Sequence, residues 1–233
     1  MQKIIENVYT FTGLLVGRVY CITDADGLTI IDAGLALAVP RILAQLREAG
    51  FAPGDVKRIL ITHAHPDHIG GLPALQAATG AEVICSAVER PFTEGTQKLV
   101  PPAREDLPPL ARMMLPRESQ ALPGTPVTRT LEPDEVLPEV LGGLQAVATP
   151  GHSPGHTSFW QPALRLLFSG DVVLRVPGLR LPFAAFTSDM AQSKRSLQKV
   201  ASLEPSLVLF GHGVPMHNAA PVLKAFAQRV MVG

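Results

Sequence analysis

The apolar positions of the chain fall into short strand-like runs and longer helix-like stripes. Near the N-terminus, "NVYTFTG" and "GRVYCITDADGLTIIDAGL" are rich in β-branched and aromatic residues, and Asp26-Gly27 between two such runs predicts a hairpin. In "VPRILAQLREAG" the period changes. Ile42, Leu43 and Leu46 share one helical face, and Gly50 stands where a helix would stop. "KRILIT" returns to strand character and leads straight into "THAHPDHIGG". After it, "IGGLPALQAATG" predicts a short helix closed by Gly80, and "AEVICSAVE" another strand. The second half repeats the theme with "LQAVATPGH", "LRLLFSGD" and "PSLVLFGHG". Between them lies the helical pattern "SDMAQSKRSLQKVASL", with Ser188 as its expected cap, and "NAAPVLKAFAQRVM" closes the chain as a helix. Strands alternating with helices predict an α/β fold.

One stretch breaks the pattern. From Pro91 to Pro126 eight prolines interrupt any long regular element, leaving room in "LPPLARMML" for one short amphipathic helix. Such an insertion, at about 91–126, is either a surface excursion or a lid over a site.

Composition narrows the class. A chain of 233 residues, 46% hydrophobic and 17% charged, suits a single domain spanning 1–233 with a well-buried core. Twenty basic and twenty acidic side chains cancel, so no overall pull toward nucleic acid or an anionic membrane is expected. "MQKIIENVYTFTG" lacks the features of an export signal, and no apolar run is long enough to span a bilayer. Cys21 and Cys85 sit inside apolar strand-like runs and read as buried free thiols, which suits a reducing cytoplasm.

The chemistry is concentrated at strand ends. "RILIT" leads to His63, "AVATPG" to His152, "LLFSG" to Asp171 and "LVLFG" to His212. Each is an apolar run, a small or turn residue, and then a side chain able to hold metal. In open α/β sheets the crevice beyond the carboxyl ends of strands gathers residues that are distant in sequence. Glycines 151, 170 and 211 permit tight turns beside these residues. Pro66 biases His65 toward an extended backbone, so the cluster should begin as an extended turn, unlike helical zinc motifs with histidines four apart. A tetrahedral zinc takes about four ligands, and the cluster together with the three later residues exceeds that number. Two ions are therefore expected.

His63, His65, Asp67 and His68 in "THAHPDH", His152 in "GHSPGH", Asp171 in "SGD" and His212 in "FGHG" resemble the full ligand set of the metallo-β-lactamase superfamily. The resemblance covers most of the chain, including "IIDAG". It implies an αββα sandwich of two similar halves with the metal site at the sheet edge. It also implies His63, His65 and His152 on one ion, Asp67, His68 and His212 on the other, and Asp171 between them. His156 would stand outside the ligand set. His217 would be ordinary surface. Asp32 would either orient a ligating histidine through its other ring nitrogen or stabilise a turn.

A pair of divalent ions, zinc first with iron or manganese as alternatives, would activate water and polarise a carbonyl or phosphoryl oxygen. On this reading a hydroxide between the ions attacks an ester-like carbonyl and Asp67 relays a proton to the leaving group. The apolar residues around the site, "VVLRVPGLRLPFAAF" after Asp171 and Leu110, Met113, Met114 and Leu115 in the insertion, favour a small substrate with an apolar portion. A lactone, carboxylic ester or thioester is expected. A phosphodiester, iron-dependent redox chemistry of the sulfur dioxygenase kind, or a β-lactam are the alternatives. Arg175 and Arg180 either meet an anionic group or stay solvated, and the apolar walls could instead form a homodimer contact.

Overall fold

The computed structural model describes residues 1–99, 102, 107 and 122–232. The helix expected in "LPPLARMML", with Leu110, Met113, Met114 and Leu115, lies outside the described residues.

Strands β1 (Gln2–Ile5), β2 (Val8–Thr10), β3 (Tyr20–Asp24), β4 (Gly27–Ile31), β5 (Val56–Leu60), β6 (Glu82–Ser86) and β7 (Arg129–Leu131) form one sheet in sequence order. β3 and β4 are the hairpin expected at Asp26-Gly27, pairing Tyr20 with Ile31 and Asp24 with Gly27. β4, β5, β6 and β7 run parallel. The second sheet contains β8 (Val136–Leu137), β9 (Leu144–Ala148), β10 (Thr157–Gln161), β11 (Leu166–Gly170), β14 (Leu207–Phe210) and β15 (Met216–His217). Its spatial order is β15-β14-β11-β10-β9-β8, with β11 and β14 parallel. A small hairpin, β12 (Leu174–Arg175) and β13 (Leu179–Arg180), follows Asp171.

Strand alternation sorts side chains into layers, because successive residues point to opposite faces. Ile22, Ile31, Leu60 and Ile84 of the first sheet meet Phe159, Phe168 and Leu209 of the second in a central core. Their immediate neighbours Cys21, Ile30, Ile59 and Val83 face the other way, against α1 (Val39–Glu48) and α3 (Leu72–Thr79) through Ile42, Leu46, Leu72 and Leu75. On the far side Trp160, Leu167 and Val208 pack on α5 (Met190–Ser202) and α6 (Ala219–Val232) through Leu197, Val200, Leu223 and Phe226. Fully burying one such aliphatic or aromatic side chain contributes roughly 1.5–3 kcal/mol. The result is the expected α/β sandwich: helices, sheet, sheet, helices.

The helix boundaries are mostly those expected. Gly80 ends α3 in the left-handed region at φ 69°, which costs a glycine little. One local expectation is corrected and another is extended. Asp189 caps α5 in place of Ser188, its carboxylate accepting the Gln192 amide at 2.8 Å. The histidine cluster begins extended, with His65 at φ −88° and ψ 155°, but then forms a helical turn, α2 (Pro66–Ile69), with Pro66 in its first turn. A proline belongs there because that amide has no helical partner to lose. No helix among the described residues is long and apolar enough to cross a membrane.

Three contacts join the two halves at the edge where strands β5, β11 and β14 end. The Tyr20 hydroxyl donates to the Phe210 carbonyl at 2.6 Å, the Arg18 amide to the Gly211 carbonyl at 2.8 Å, and the Thr157 amide to the Thr62 carbonyl at 2.9 Å. Residues delivered from different sheets are therefore held in a fixed relation.

Candidate metal centre

At this edge the seven sequence-derived residues converge. Three sets of side chains bring their ligand atoms within 4.8 Å of one another: His63, His65 and His152; His63, His68 and Asp171; and Asp67, His68 and His212. Asp171 is the centre of the arrangement. Its Oδ2 lies 3.2 Å from His212 Nε2 and 3.5 Å from His152 Nε2, and its Oδ1 lies 3.6 Å from His68 Nε2. Asp67 Oδ2 is 3.1 Å from His212 Nε2 on the more open side.

The ring orientations are set from outside. His68 Nδ1–H donates to Asp32 Oδ2 at 2.8 Å. The Thr62 hydroxyl donates to the Asp32 carboxylate, at 2.9 Å from Oδ2, and so is left to accept from His63 Nδ1 at 3.0 Å. The Thr187 hydroxyl donates to the Phe183 carbonyl at 2.9 Å and can accept from His152 Nδ1 at 3.2 Å. Each of these three rings therefore presents Nε2 inward, the tautomer a metal ligand requires. Asp32 also accepts the Thr62 amide at 2.9 Å, so it both orients a histidine and ties the β4 and β5 ends together. Its φ of 63° is a backbone state that aspartate tolerates better than most residues.

His68 Nε2, His152 Nε2 and Asp171 Oδ1 are buried and have no hydrogen-bond partner. Leaving such atoms unpaired costs about 1–3 kcal/mol each. Atoms of this donor chemistry, aimed into one small volume, fit divalent metal ions. The protonation states agree with that fit for His63, His65, His152 and Asp67, whereas His68, raised against its burial by the Asp32 and Asp171 carboxylates, and His212 hold protons that a bound ion would displace. Burial keeps His63 and His152 well below the ordinary histidine value and brings His65 down to about 4. Burial works against protonated His212 too, but hydrogen bonds to Asp171 and Asp67 outweigh it and push the ring up to about 9. Burial likewise opposes ionised Asp67, yet the His212 contact holds it down to about 2. Neutral imidazoles and ionised carboxylates are the forms that bind metal.

His156 is fully buried with both ring nitrogens engaged. Nε2 accepts the Asp171 amide at 2.9 Å and Nδ1 meets the Thr149 hydroxyl at 2.8 Å. It supports the backbone that presents Asp171 and has no nitrogen to offer an ion. His217 is exposed on β15. Cys21 and Cys85 are buried free thiols pushed up to about 12 by burial, unsuited to nucleophilic work. Arg175 is committed to the Pro215 carbonyl, and the Arg180 guanidinium carbon lies 5.9 Å from the centre of the Phe183 ring.

Of the three glycines beside the ligands, Gly151 and Gly170 do adopt positive φ, at 131° and 52°. Gly211 does not. Its need is space, because a Cβ there would lie 2.0 Å from Asp171 Oδ1. Sequence reasoning missed Glu89 and Thr187. Glu89 follows the apolar run "EVICSAV", the same strand-end pattern that marked the ligands, and that signal points to it.

Comparison with known proteins agrees with this geometry. Residues 12–212 match the family profile of the metallo-beta-lactamase superfamily. The chain is 30% identical over 210 residues to the probable metallo-hydrolase YflN of Bacillus subtilis, covering 83% of this chain and 78% of that protein. It is 31% identical over 191 residues to a hydroxyacylglutathione hydrolase of Rhodobacter capsulatus, covering 82% of this chain and 59% of that one. An N-acyl homoserine lactonase of Bacillus cereus is 29% identical over 195 residues, covering 80% of this chain and 67% of that one. Among solved structures, a metallo-beta-lactamase family protein of Thermus thermophilus superposes with a TM-score of 0.73 at 23% identity, over 99% of this chain and 81% of that one. With the profile spanning β3 through β14 and all seven candidate ligands, the chain belongs to the metallo-beta-lactamase superfamily.

Proposed function

We propose that the protein is a binuclear metal-dependent hydrolase of a lactone, carboxylic ester or thioester whose substrate carries an apolar portion. The observation that carries this reading is the pair of histidine groups sharing Asp171 between them. His63, His65 and His152 would hold one ion and Asp67, His68 and His212 the other, with Asp171 reaching both. Two bound divalent ions, zinc first, supply Lewis acidity and lower the pKa of water to about 7. Asp67, one-quarter exposed beside His212, would relay a proton to the leaving group.

Exposed apolar side chains stand in the segments that adjoin the candidate ligands. Leu15 and Val16, 77% and 46% exposed, precede Gly17, which packs on the Asp67 backbone. Phe183 and Phe186, 52% and 57% exposed, lie in the segment fixed to His152 by Thr187. Val214 follows His212 closely and is also exposed. This rim favours an acyl or alkyl group over a phosphodiester backbone, and the N-acyl homoserine lactonase and hydroxyacylglutathione hydrolase names among the relatives fit it.

The test is to purify the protein without chelators, quantify bound metals, and assay lactones, carboxylic esters, thioesters, phosphodiesters and β-lactams side by side. Two equivalents of metal and ester, thioester or lactone turnover that chelation abolishes are expected. Turnover of phosphodiesters alone, or iron with oxygen uptake, would overturn the reading. A sizing column shows whether the rim is instead covered by a second copy.

A further inference from the structure

We propose that Glu89 is the positioning residue of the three-histidine group, clamping together the two loops that carry His63, His65 and His152. The proposal rests on the metal-centre reading above. Its basis is the place of one buried carboxylate. Glu89 is 1% exposed and sits in the turn three residues beyond the end of β6, immediately before the short helix α4 (Arg90–Thr93). Its Oε2 accepts the amide of Ala64 at 2.9 Å, the residue between His63 and His65. Its Oε1 accepts the Ser153 hydroxyl at 2.5 Å and the Gly155 amide at 2.8 Å, from the loop that begins at His152. One carboxylate thus joins a loop of the first half to a loop of the second.

The corner that carries Glu89 is itself seated on the second loop. The Ser86 hydroxyl donates to the Gly155 carbonyl at 2.7 Å, and the Glu89 amide donates to the Ser86 carbonyl at 3.1 Å. A Cβ at Gly155 would lie 2.6 Å from Ser86 Oγ and 2.8 Å from the Glu89 nitrogen, so the approach tolerates no side chain there. All three donors to Glu89 are neutral, and each needs an acceptor. A carboxylate supplies that at both oxygens, whereas a carboxamide supplies one oxygen and one competing N–H group. Asp32 supports the other group through His68, and through Thr62 it also touches His63. Glu89 thus serves the three-histidine loops alone, while Asp32 meets His68 directly and reaches His63 at one remove through Thr62.

The experiment is a zinc titration of metal-free wild type, E89Q and D32N against a chromophoric chelator, with circular dichroism and melting of each metal-free protein as the folding control. E89Q is expected to weaken one of the two binding steps by about 10–100-fold, the scale of outer hydrogen-bond partners, and D32N to weaken chiefly the other, with a smaller effect on the first through Thr62 and His63. S153A removes only the hydroxyl contact and is expected to shift the same step as E89Q, by less. That milder variant carries the test if E89Q does not fold. Unchanged affinity at both steps in folded E89Q, or in S153A where E89Q is unfolded, overturns the proposal, as does equal weakening of both steps by E89Q. If wild type binds a single ion, the binuclear reading fails, and a loss in E89Q or S153A still reports the clamp.

Discussion

Replacing Gly211 by alanine separates crowding from backbone strain at the centre of the site. Gly211 does not have positive φ, so alanine suits its backbone, and the whole effect comes from the added methyl group. That carbon would stand 2.0 Å from Asp171 Oδ1 and 3.1 Å from the Gly170 carbonyl. The backbone around it cannot retreat freely. The Gly211 amide donates to Gly170 at 2.9 Å, its carbonyl accepts from Arg18, and the preceding carbonyl accepts from Tyr20. The Asp171 carboxylate is the part able to give way, and it is the part both histidine groups share. Overpacking of this kind costs about 1–3 kcal/mol. For a chain of this length that lowers Tm by roughly 2–12 °C in the metal-free protein. The larger consequence is for metal. At 100 times its Kd, a bound ion adds about 2.7 kcal/mol, or roughly 5–11 °C, to wild-type Tm. G211A is expected to lose most of that zinc-dependent rise and to retain less than one equivalent of metal after gel filtration. Melting curves with and without zinc, with metal analysis on the same samples, read both quantities. A folded G211A that keeps two equivalents and the full zinc-dependent rise would refute the reasoning.

Three further outcomes are expected. Tyr20→Phe removes the donor to the buried Phe210 carbonyl and should cost about 1–3 kcal/mol in urea unfolding, with little change in metal content. The metal-free protein should lose stability on mild acidification, because burial lowers His65 to about 4 and His156 to about 3. Their unfolded counterparts titrate near the ordinary value, about 6.5. The stabilisation is thus complete above that value and is lost toward the folded values, at about 1.4 kcal/mol per pH unit for each ring. Equal unfolding free energies at pH 7 and pH 5 would contradict this. Substituting both rim phenylalanines, F183S with F186S, should reduce the preference for octanoyl over acetyl esters in kcat/KM by about tenfold, equivalent to about 1.4 kcal/mol. Turnover of the acetyl ester is expected to change little.

The strands, the β3–β4 hairpin and α1, α3, α5 and α6 were legible because each buries one face, and burial imposes a period on the sequence. The ligands were legible for a related reason. A polar side chain directly beyond an apolar run has only the sheet edge to occupy, as at Asp171 after "LLFSG". The residues that hold them in register were harder to read. Glu89 in "AVERPF" stands just beyond an apolar run, as the candidate ligands do, but its role in joining the loops is visible only from its contacts with Ala64, Ser153 and Gly155. Thr187 and Tyr20 act on partners 35 and 190 residues away, pairings that no local pattern encodes. The Ser188 expectation failed for a smaller reason: Asp189 is as good a cap and stands one residue nearer the helix.

The link between Thr187 and Phe183 bears on how such a protein changes its substrate. Thr187 orients His152 while donating to the backbone oxygen of Phe183, and the Phe183 ring takes no part in that bond. The side chains at 183 and 186 are therefore free to be exchanged without turning the imidazole. A lineage can retune the entrance for a longer, shorter or more polar guest and inherit the metal geometry intact, because identity at the rim and orientation at the centre are written in different atoms of the same short segment.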